Sequence, residues 1–169
     1  IRHLLATRDL DLGKDIQGVA VSSGVPSITY ELRQMCARYL HVEPVILGTG
    51  VRTGMPVLYD NPREVGADRI ANAVGAYDLY GGPTIVVDFG TATTFDVISD
   101  KGEYLGGAIF PGIEISMDAL FGRAAALRRV ELSEPRSVIG KTTMESVQSG
   151  AVYGYSAMVD GMCDRIEDV

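Results

Sequence analysis

The sequence predicts an α/β protein with a mixed β-sheet. Short β-branched strands alternate with helical patterns along the 169 residues. Residues 84–110 contain three strands separated only by turns, so these strands are expected to pair antiparallel. The final segment repeats apolar residues at three- and four-residue steps, the spacing of a long helix.

Composition and charge limit the class of protein. Hydrophobic residues make up 46% of the sequence and charged residues 22%, which is typical of a soluble globular protein. The net charge of −7 argues against nucleic acid as a main partner, because binding a phosphate backbone requires a basic face. The two cysteines, Cys36 and Cys163, are too far apart in sequence to form a metal motif.

The first part of the chain is expected to form two strands and one helix. Residues 16–22 and 42–47 are the strands, and the first of them is expected to be buried. Ser27 is the expected N-cap of a helix that ends near His41. The face of this helix that should pack inward contains Ile28, Leu32, Met35, Cys36 and Tyr39.

A loop over residues 48–66, rich in Gly, Pro, Asn and Asp, leads to a second helix. We expect this helix to begin at Ala67 or Asp68 and to end at Tyr80, before a Gly-Gly-Pro stop. Its buried stripe consists of Ile70, Ala73, Val74 and Tyr77.

The hairpin at residues 84–98 contains the strongest functional signal. A β-branched strand ends in Asp88, a turn with Gly90 and hydroxyl side chains follows, and a second strand ends at Ile98. Glycine allows close backbone approach, N–H and hydroxyl groups bind phosphoryl oxygens, and an aspartate holds a cation. The turn hydroxyls belong to Thr91, Thr93 and Thr94. The alternative is a structural turn whose threonines reflect β propensity.

Residues 103–110 are expected to form the third strand, after a turn at 100–102. Gly106 and Gly107 within that strand indicate a bulge or the close approach of a ligand or backbone. Pro111-Gly112 should begin a helix that ends near Arg123.

The last helix, from about Thr143 to Val169, has two stripes. The apolar stripe contains Met144, Val147, Ala151, Tyr155, Met158, Met162 and Ile166, and the small-residue stripe contains Gly150, Gly154, Ala157 and Gly161. Each glycine costs a helix roughly 1 kcal/mol relative to alanine, so the small-residue stripe requires a reason. Another helix packed closely against it, in the same chain or across a dimer axis, supplies one. We favour the dimer.

Two further segments contain candidate functional residues. Gly66-Ala67-Asp68-Arg69 lies where a loop meets a helix, whose N-terminal dipole favours an ionised Asp68 and a nearby anion. Equally supported is a structural role, in which Asp68 caps the helix and Arg69 pairs with Glu64. Gly140-Lys141-Thr142 is similar to the end of a P-loop, but Pro135 stands where that motif needs its first glycine.

Together these segments resemble the type III pantothenate kinase family of the acetate and sugar kinase, Hsp70 and actin superfamily. The resemblance extends from about Ile16 to Ile166 and rests on segments that occur in this order: Gly66 to Arg69, Val87 to Thr94, Gly106 to Gly112, and Gly140 to Thr143. It implies ribonuclease H-like, actin-type ATPase lobes, with residues 1–83 in the first lobe and 84–169 in the second.

The resemblance implies ATP-dependent phosphorylation of pantothenate, the first step of coenzyme A synthesis, by a cytoplasmic homodimer. It assigns Asp68 as the catalytic base, and it places a monovalent cation, K⁺ or NH₄⁺, at Asp88. ATP, accompanied by Mg²⁺, would contact Gly90 and Thr91. The pantothenate site would contain Tyr59, Gly66, Ala67, Asp68, Arg69 and, from the second subunit, Thr143.

The family also begins with a strand and turn carrying an Asp-x-Gly-Asn-Thr-like motif, and nothing similar precedes Ile16. We therefore expect the 169 residues to be an incomplete two-lobe chain. Two alternatives stay open. One is a kinase or phosphohydrolase of the same superfamily that acts on a sugar, acetate or polyphosphate. The other is a kinase-like accessory protein that regulates transcription without catalysis.

Overall fold

A computed structural model describes residues 2–48 and 51–169 of the chain; Ile1 and the Thr49-Gly50 pair of the expected 48–66 loop lie outside the described residues. The helices are α1 (Arg2–Ala6), α2 (Pro26–Met35), α3 (Ala67–Tyr80), α4 (Ile113–Arg123) and α5 (Thr143–Glu167). The strands are β1 (Ala20–Ser22), β2 (Val45–Leu47), β3 (Thr84–Phe89), β4 (Ala92–Ile98) and β5 (Tyr104–Pro111). A π-helical segment, Cys36–Leu40, continues α2, and a 3₁₀ turn, Pro62–Glu64, precedes α3.

The fold is α/β and contains both kinds of strand pairing. β1 and β2 form a parallel pair, whereas β3, β4 and β5 form an antiparallel sheet in that order. The α/β class is therefore confirmed. The two kinds of pairing between named strands occupy separate sheets, but an isolated parallel bridge between Val57 and Tyr104 adds one parallel pairing to β5 of the antiparallel sheet.

Helix α3 lies between the two sheets and contacts strands of both. Its bounds match the expected ones, and its predicted stripe faces inward: Ala73 is fully buried, and Ile70 and Tyr77 pack against the core. The core around α3 consists of Val65, Ala73, Ile98 and Tyr104. This helix, in the first of the two expected lobes, thus packs on the sheet of the second; the division at residue 83 stays a prediction.

Several expectations for the first part of the chain are wrong. The strand expected over residues 16–22 is limited to Ala20–Ser22, the length over which β2 pairs with it, and only Val21 is buried. Ser27 is not the N-cap of α2, because Pro26 already occupies the first helical position, which suits its fixed φ. Cys36 is fully buried as expected, but Ile28 and Tyr39 are more than half exposed.

The glycines of β5 confirm the expected bulge and close backbone approach. The pairing changes register between Val97 opposite Gly106 and Ile98 opposite Tyr104. Gly106 has a φ of +130°, a conformation that side chains other than glycine rarely adopt. At Gly107 a Cβ would overlap the carbonyl oxygen of Phe95 on β4.

Helix α5 begins at the N-cap Thr142, whose side-chain oxygen accepts a hydrogen bond from the N–H of Glu145 at 3.1 Å. Its apolar stripe contributes the buried Ala151, whereas Met144 is 53% exposed, contrary to expectation. Gly150 and Gly154 are exposed, and a Cβ at either position would meet nothing within 4 Å. Within the described residues, no helix packs on these two glycines.

None of the helices in the described part of the chain combines the length and apolar character needed to cross a bilayer.

Candidate active site

The face of the antiparallel sheet that packs on α3 carries the candidate catalytic residues. Side chains alternate along a strand, so Asp88 on β3 shares a face with Thr94 and Asp96, which follow it across the β3–β4 pairing. Two hydrogen bonds join this face to α3: Asn72 Nδ2 donates to Asp88 Oδ2 at 2.7 Å, and Arg69 Nε donates to Asp96 Oδ1 at 2.6 Å.

Arg69 and Asp96 form a buried ion pair. The side chain of Asp96 is fully buried, and that of Arg69 is 11% exposed. Asp96 Oδ1 also accepts a 2.6 Å hydrogen bond from the Tyr104 hydroxyl, and Oδ2 accepts one from Thr94 at 3.3 Å. Arg69 Nη2 donates to the carbonyl of Phe95 at 3.3 Å. The carboxylate is thus hydrogen-bonded on both oxygens, which a buried charge requires.

The pairing proposed as the structural alternative for Arg69 is wrong. Glu64 accepts a 2.7 Å hydrogen bond from Asn61 instead, within the turn that precedes α3.

Burial, followed by the hydrogen bond to Asp96, raises the pKa of Tyr104 well above its ordinary value. Tyr104 therefore stays a neutral donor to Asp96 throughout the physiological range.

Asp68 lies in the first turn of α3, two positions after the N-cap residue Gly66. The residue is exposed, and its Oδ1 accepts a 2.9 Å hydrogen bond from the N–H of Arg69. A Cβ at Gly66 would overlap this carboxylate oxygen, so the absence of a side chain there leaves room for it. Asp68 is not the N-cap residue, but its carboxylate accepts one of the free N–H groups of the first turn, so a structural role remains open beside the catalytic one.

Asp68 and Asp88 lie beside the same stretch of α3. Asn72, which holds Asp88, comes four residues after Asp68, and residues four apart stack on one face of a helix one turn from each other. Asp68 and Asn72, the hydrogen-bond donor to Asp88, therefore lie on the same face of α3. The chemical roles of Asp68 and Asp88 do not follow from this placement alone.

The tip of the β3–β4 hairpin consists of Gly90 and Thr91, both exposed. Gly112, the N-cap of α4, donates to the carbonyl of Thr91 at 3.0 Å, and a Cβ at Gly112 would overlap the carbonyls of Gly90 and Thr91. A cavity of about 640 Å³ opens beside the tip, lined by Phe89, Gly90, Thr91, Ile113, Glu114, Ile115, Asp118 and Leu132. The N-terminus of α4 borders this cavity.

The sequence overstated the number of hydroxyls at that tip. Thr93 and Thr94 lie within β4 and point to opposite faces of the sheet. Thr93 is fully buried, and its hydroxyl has no hydrogen-bond partner among the described residues, whereas Thr94 donates to Asp96. Of the three threonines, Thr91 alone presents an exposed hydroxyl at the turn.

Tyr59 is half-buried and packs beside Gly106, where a Cβ would lie 3.6 Å from its ring. A second cavity of about 510 Å³ is lined by Leu58, Tyr59, Asp60, Asn61, Glu64, Leu105, Gly106 and Gly107. Arg69 reaches Gly107, since its Nη2 lies 3.2 Å from the position of a Cβ there. Gly107 thus connects the Tyr59 cavity with the ion pair.

Thr143, the first residue of α5, is exposed and makes no side-chain hydrogen bond within the described residues. No hydrogen bond joins it to Asp68 or Asp88 in that part of the chain. Hydrogen bonds from Arg136 and from the N–H of Lys141 lower the pKa of neighbouring Glu145, which completes the N-terminal cap of α5.

Sequence reasoning missed Asn72, Asp96 and Tyr104. The sequence did contain an indication for Asp96, because it is a charged residue within a largely apolar strand. In the antiparallel pairing it lies on the same face of the sheet as Asp88. No signal marked Asn72 beyond its place four residues after Asp68. The described residues contain no cluster of three or more His, Cys, Asp or Glu that could hold a metal ion.

Comparison with known proteins places this chain in a family. The family model for type III pantothenate kinase matches residues 1–165. Proteins named type III pantothenate kinase from Moorella thermoacetica and Anaeromyxobacter sp. (strain K) are each 56% identical, over 99% and 98% of this chain. One from Streptomyces griseus is 57% identical over 94% of the chain.

The chain spans 65%, 65% and 60% of the length of these three relatives. A crystal structure from Campylobacter jejuni, assigned to the Baf family of transcriptional activators, superposes with a TM-score of 0.58 at 22% identity, covering 87% of this chain and 64% of that one. At this identity the likeness concerns the fold alone. From the match over residues 1–165 and the close relatives, the chain belongs to the type III pantothenate kinase family.

Proposed function

We propose that the protein of which this chain forms part transfers a phosphoryl group from ATP to pantothenate, giving 4′-phosphopantothenate in the first step of coenzyme A synthesis. Family membership supports the substrate and the reaction. The observation that carries the proposal is the Asn72–Asp88 hydrogen bond, because it joins the helix of Asp68 to the strand that ends at the glycine turn. The proposed base on α3 and the turn proposed to bind phosphate are thereby connected through the contact between α3 and β3.

Asp68 would accept the proton of the primary hydroxyl of pantothenate. Phosphoryl transfer depends mainly on positioning and on neutralising charge, so a carboxylate at an exposed helix start suffices as the base. Gly66 leaves space beside this carboxylate. Tyr59, Gly66, Ala67 and Arg69 would form the pantothenate site. The cavity beside Tyr59 and Gly107 is lined in part by hydrogen-bonding side chains, which suit the hydroxyl and amide groups of pantothenate.

The hairpin tip fits a nucleotide phosphate. Gly90 and Thr91 are exposed, and α4 starts beside them without a side chain capping its first N–H groups. When bound, ATP with Mg²⁺ supplies the phosphoryl group and neutralises its charge. Gly90 and Thr91 would hold the phosphates through backbone N–H groups and one hydroxyl.

Asp88 fits a monovalent cation, K⁺ or NH₄⁺. Asn72 occupies one carboxylate oxygen, while Oδ1 accepts no hydrogen bond within the described residues. Carboxylate oxygens are suitable ligands for a hard cation, and such an ion would add positive charge near the phosphates.

The remaining parts of the proposal concern architecture. The fold likeness to the Campylobacter structure supports, without specifying, actin-type lobes at residues 1–83 and 84–169. The exposed Gly150 and Gly154 of α5 support a homodimer, in which Thr143 would reach the partner's pantothenate site. A coenzyme A precursor kinase would act in the cytoplasm.

The test is ADP formation by the full-length protein, followed with a coupled assay and a panel of acceptors. Pantothenate should support turnover, whereas acetate and a hexose should not. Turnover with another acceptor alone would identify a different small-molecule kinase. Absence of turnover with every acceptor, in a folded protein that binds ATP, would favour the accessory role without catalysis.

A further inference from the structure

The buried ion pair between Arg69 and Asp96 is connected to Asp68, the residue proposed as the base, through the backbone of Arg69. Arg69 follows Asp68 in sequence and donates its backbone N–H to that carboxylate at 2.9 Å. The same residue sends its side chain inward to the sheet, where Asp96 accepts from Nε. Arg69 is thus attached at both ends, to Asp68 through its backbone and to β4 through its guanidinium.

The side-chain hydrogen bonds of the guanidinium lie on one edge only. Nε binds Asp96 and Nη2 binds the carbonyl of Phe95, so both contacts fix the edge that faces β4. Nη1 makes no hydrogen bond with any residue in ranges 2–48 and 51–169, and it is not among the fully buried polar atoms that lack a partner. Nη1 is therefore not completely closed off from solvent, although the Arg69 side chain as a whole is only 11% exposed.

All hydrogen bonds of the Asp96 carboxylate are made within the protein. Its side chain is fully buried, and Arg69, Tyr104 and Thr94 together occupy its two oxygens. The Tyr104 ring also lies near the guanidinium, with 5.9 Å between Arg69 Cζ and the ring centroid. A buried carboxylate with all its partners in the protein cannot itself reach a substrate, so any effect on the reaction passes through Arg69.

We propose that Asp96 is a positioning residue for pantothenate: it fixes the guanidinium of Arg69 so that Nη1 is presented to the acceptor beside Asp68. This inference rests on the proposed function. Tyr104 assists by holding Asp96 Oδ1, and Gly107 leaves the space that the guanidinium needs. Because the planar guanidinium has fixed donor directions, holding Nε also sets the direction of Nη1.

The test compares Asp96→Asn with Asp78→Asn in the full-length enzyme. Asp78 is an exposed carboxylate on α3, the helix that contains Arg69, and controls for the loss of one negative charge from the protein. For Asp96→Asn we expect the KM for pantothenate to rise about tenfold, with the KM for ATP within about twofold of the unchanged enzyme. Asp78→Asn should change neither constant.

A double-mutant cycle separates positioning from mere stability. In an Arg69→Met background, adding Asp96→Asn should leave the KM for pantothenate unchanged, because Asp96 acts only through Arg69. The inference is overturned if Asp96→Asn raises the pantothenate KM equally in that background, or if folded Asp96→Asn alone leaves the pantothenate KM unchanged.

A buried charge left unpaired can prevent folding, so Tyr104→Phe provides a milder variant. Tyr104→Phe should raise the KM for pantothenate without changing the KM for ATP, and an unchanged pantothenate KM in this variant also overturns the inference.

The two proposals fail differently. If the unchanged protein forms no ADP with pantothenate, the proposed function is wrong. If it is active and neither Asp96→Asn nor Tyr104→Phe shifts the pantothenate KM, the function stands and the positioning role of Asp96 is wrong.

Discussion

Asn72 on α3 donates a 2.7 Å hydrogen bond to Oδ2 of Asp88 at the end of β3. The bond joins the helix of the proposed base to the strand of the proposed cation ligand. It also leaves Oδ1 as the only carboxylate oxygen of Asp88 without a hydrogen bond among the described residues.

Asn72→Ala should weaken the cation site more than the pantothenate site. Loss of the amide releases Asp88 from its fixed orientation, so we expect the K⁺ concentration for half-maximal activity to rise by about three- to tenfold. Steady-state rates measured across a K⁺ series, with pantothenate saturating, test this. Asp78→Ala on the same helix is the control, and an unchanged K⁺ requirement in Asn72→Ala would show that Asp88 needs no such support.

Asp68→Asn should lower turnover by about 10²- to 10⁴-fold, because general-base catalysis contributes on that scale. ATP affinity should stay nearly unchanged, since Asp68 lies on α3 and not at the hairpin tip. Turnover from the coupled assay and ATP binding by calorimetry measure the two quantities. Near-normal turnover would remove Asp68 as the base.

Gly107→Ala should destabilise the protein by about 2–4 kcal/mol, at or above the cost of ordinary overpacking, because the new Cβ overlaps the backbone of β4. Chemical denaturation measures the free energy of unfolding. Gly24→Ala is the matched control, since a Cβ there meets nothing within 4 Å. Equal stability of the two variants would mean that β5 is not held this close to Phe95.

Glu145 should make the stability of the protein depend on pH. Its pKa is lowered in the folded state, chiefly by the hydrogen bond from Arg136, so its contribution is present above the unfolded pKa of about 4.3 and is lost as pH falls through the lower folded value. Glu145→Gln should therefore lower the Tm at pH 7 and have little effect near pH 2. Thermal unfolding of both proteins across this range tests the prediction, and a Tm difference that grows in acid would contradict it.

Gly154→Leu should weaken self-association if the small-residue stripe of α5 faces a second subunit. The position is exposed, so the leucine fits within one chain and clashes only with a close neighbour. Sedimentation velocity at several concentrations measures the association. Gly75→Leu, at an exposed helical glycine of α3 with equally open space, is the control. An unchanged sedimentation coefficient in Gly154→Leu would reject the dimer face.

The sequence predicted well where the signals are local. Helix α3 has the expected bounds because a loop rich in helix breakers precedes Ala67 and a Gly-Gly-Pro stop follows Tyr80. The antiparallel order of β3, β4 and β5 followed from turns too short for a crossover. These elements contain Asp68 and Asp88, so the placement of the candidate site was accessible before the structure.

What the sequence did not predict depends on contacts between distant segments. Asp96 pairs with Arg69 across 27 residues, a partner that local spacing does not indicate. Thr93 and Thr94 looked alike as turn hydroxyls, yet strand alternation buries one and directs the other to Asp96. Ser27 was a sound cap by residue type, but the helix begins at Pro26, two residues earlier than a cap at Ser27 implies.

Helix α3 touches both sheets while carrying Asp68 near its start and Asn72 one turn later. A rotation or slide of α3 would therefore displace Asp68, the proposed proton acceptor, and Asn72, the hydrogen-bond donor to Asp88, by the same movement. Relative motion of the two sheets, transmitted through the helix, would switch both groups in concert and would leave neither to be adjusted alone.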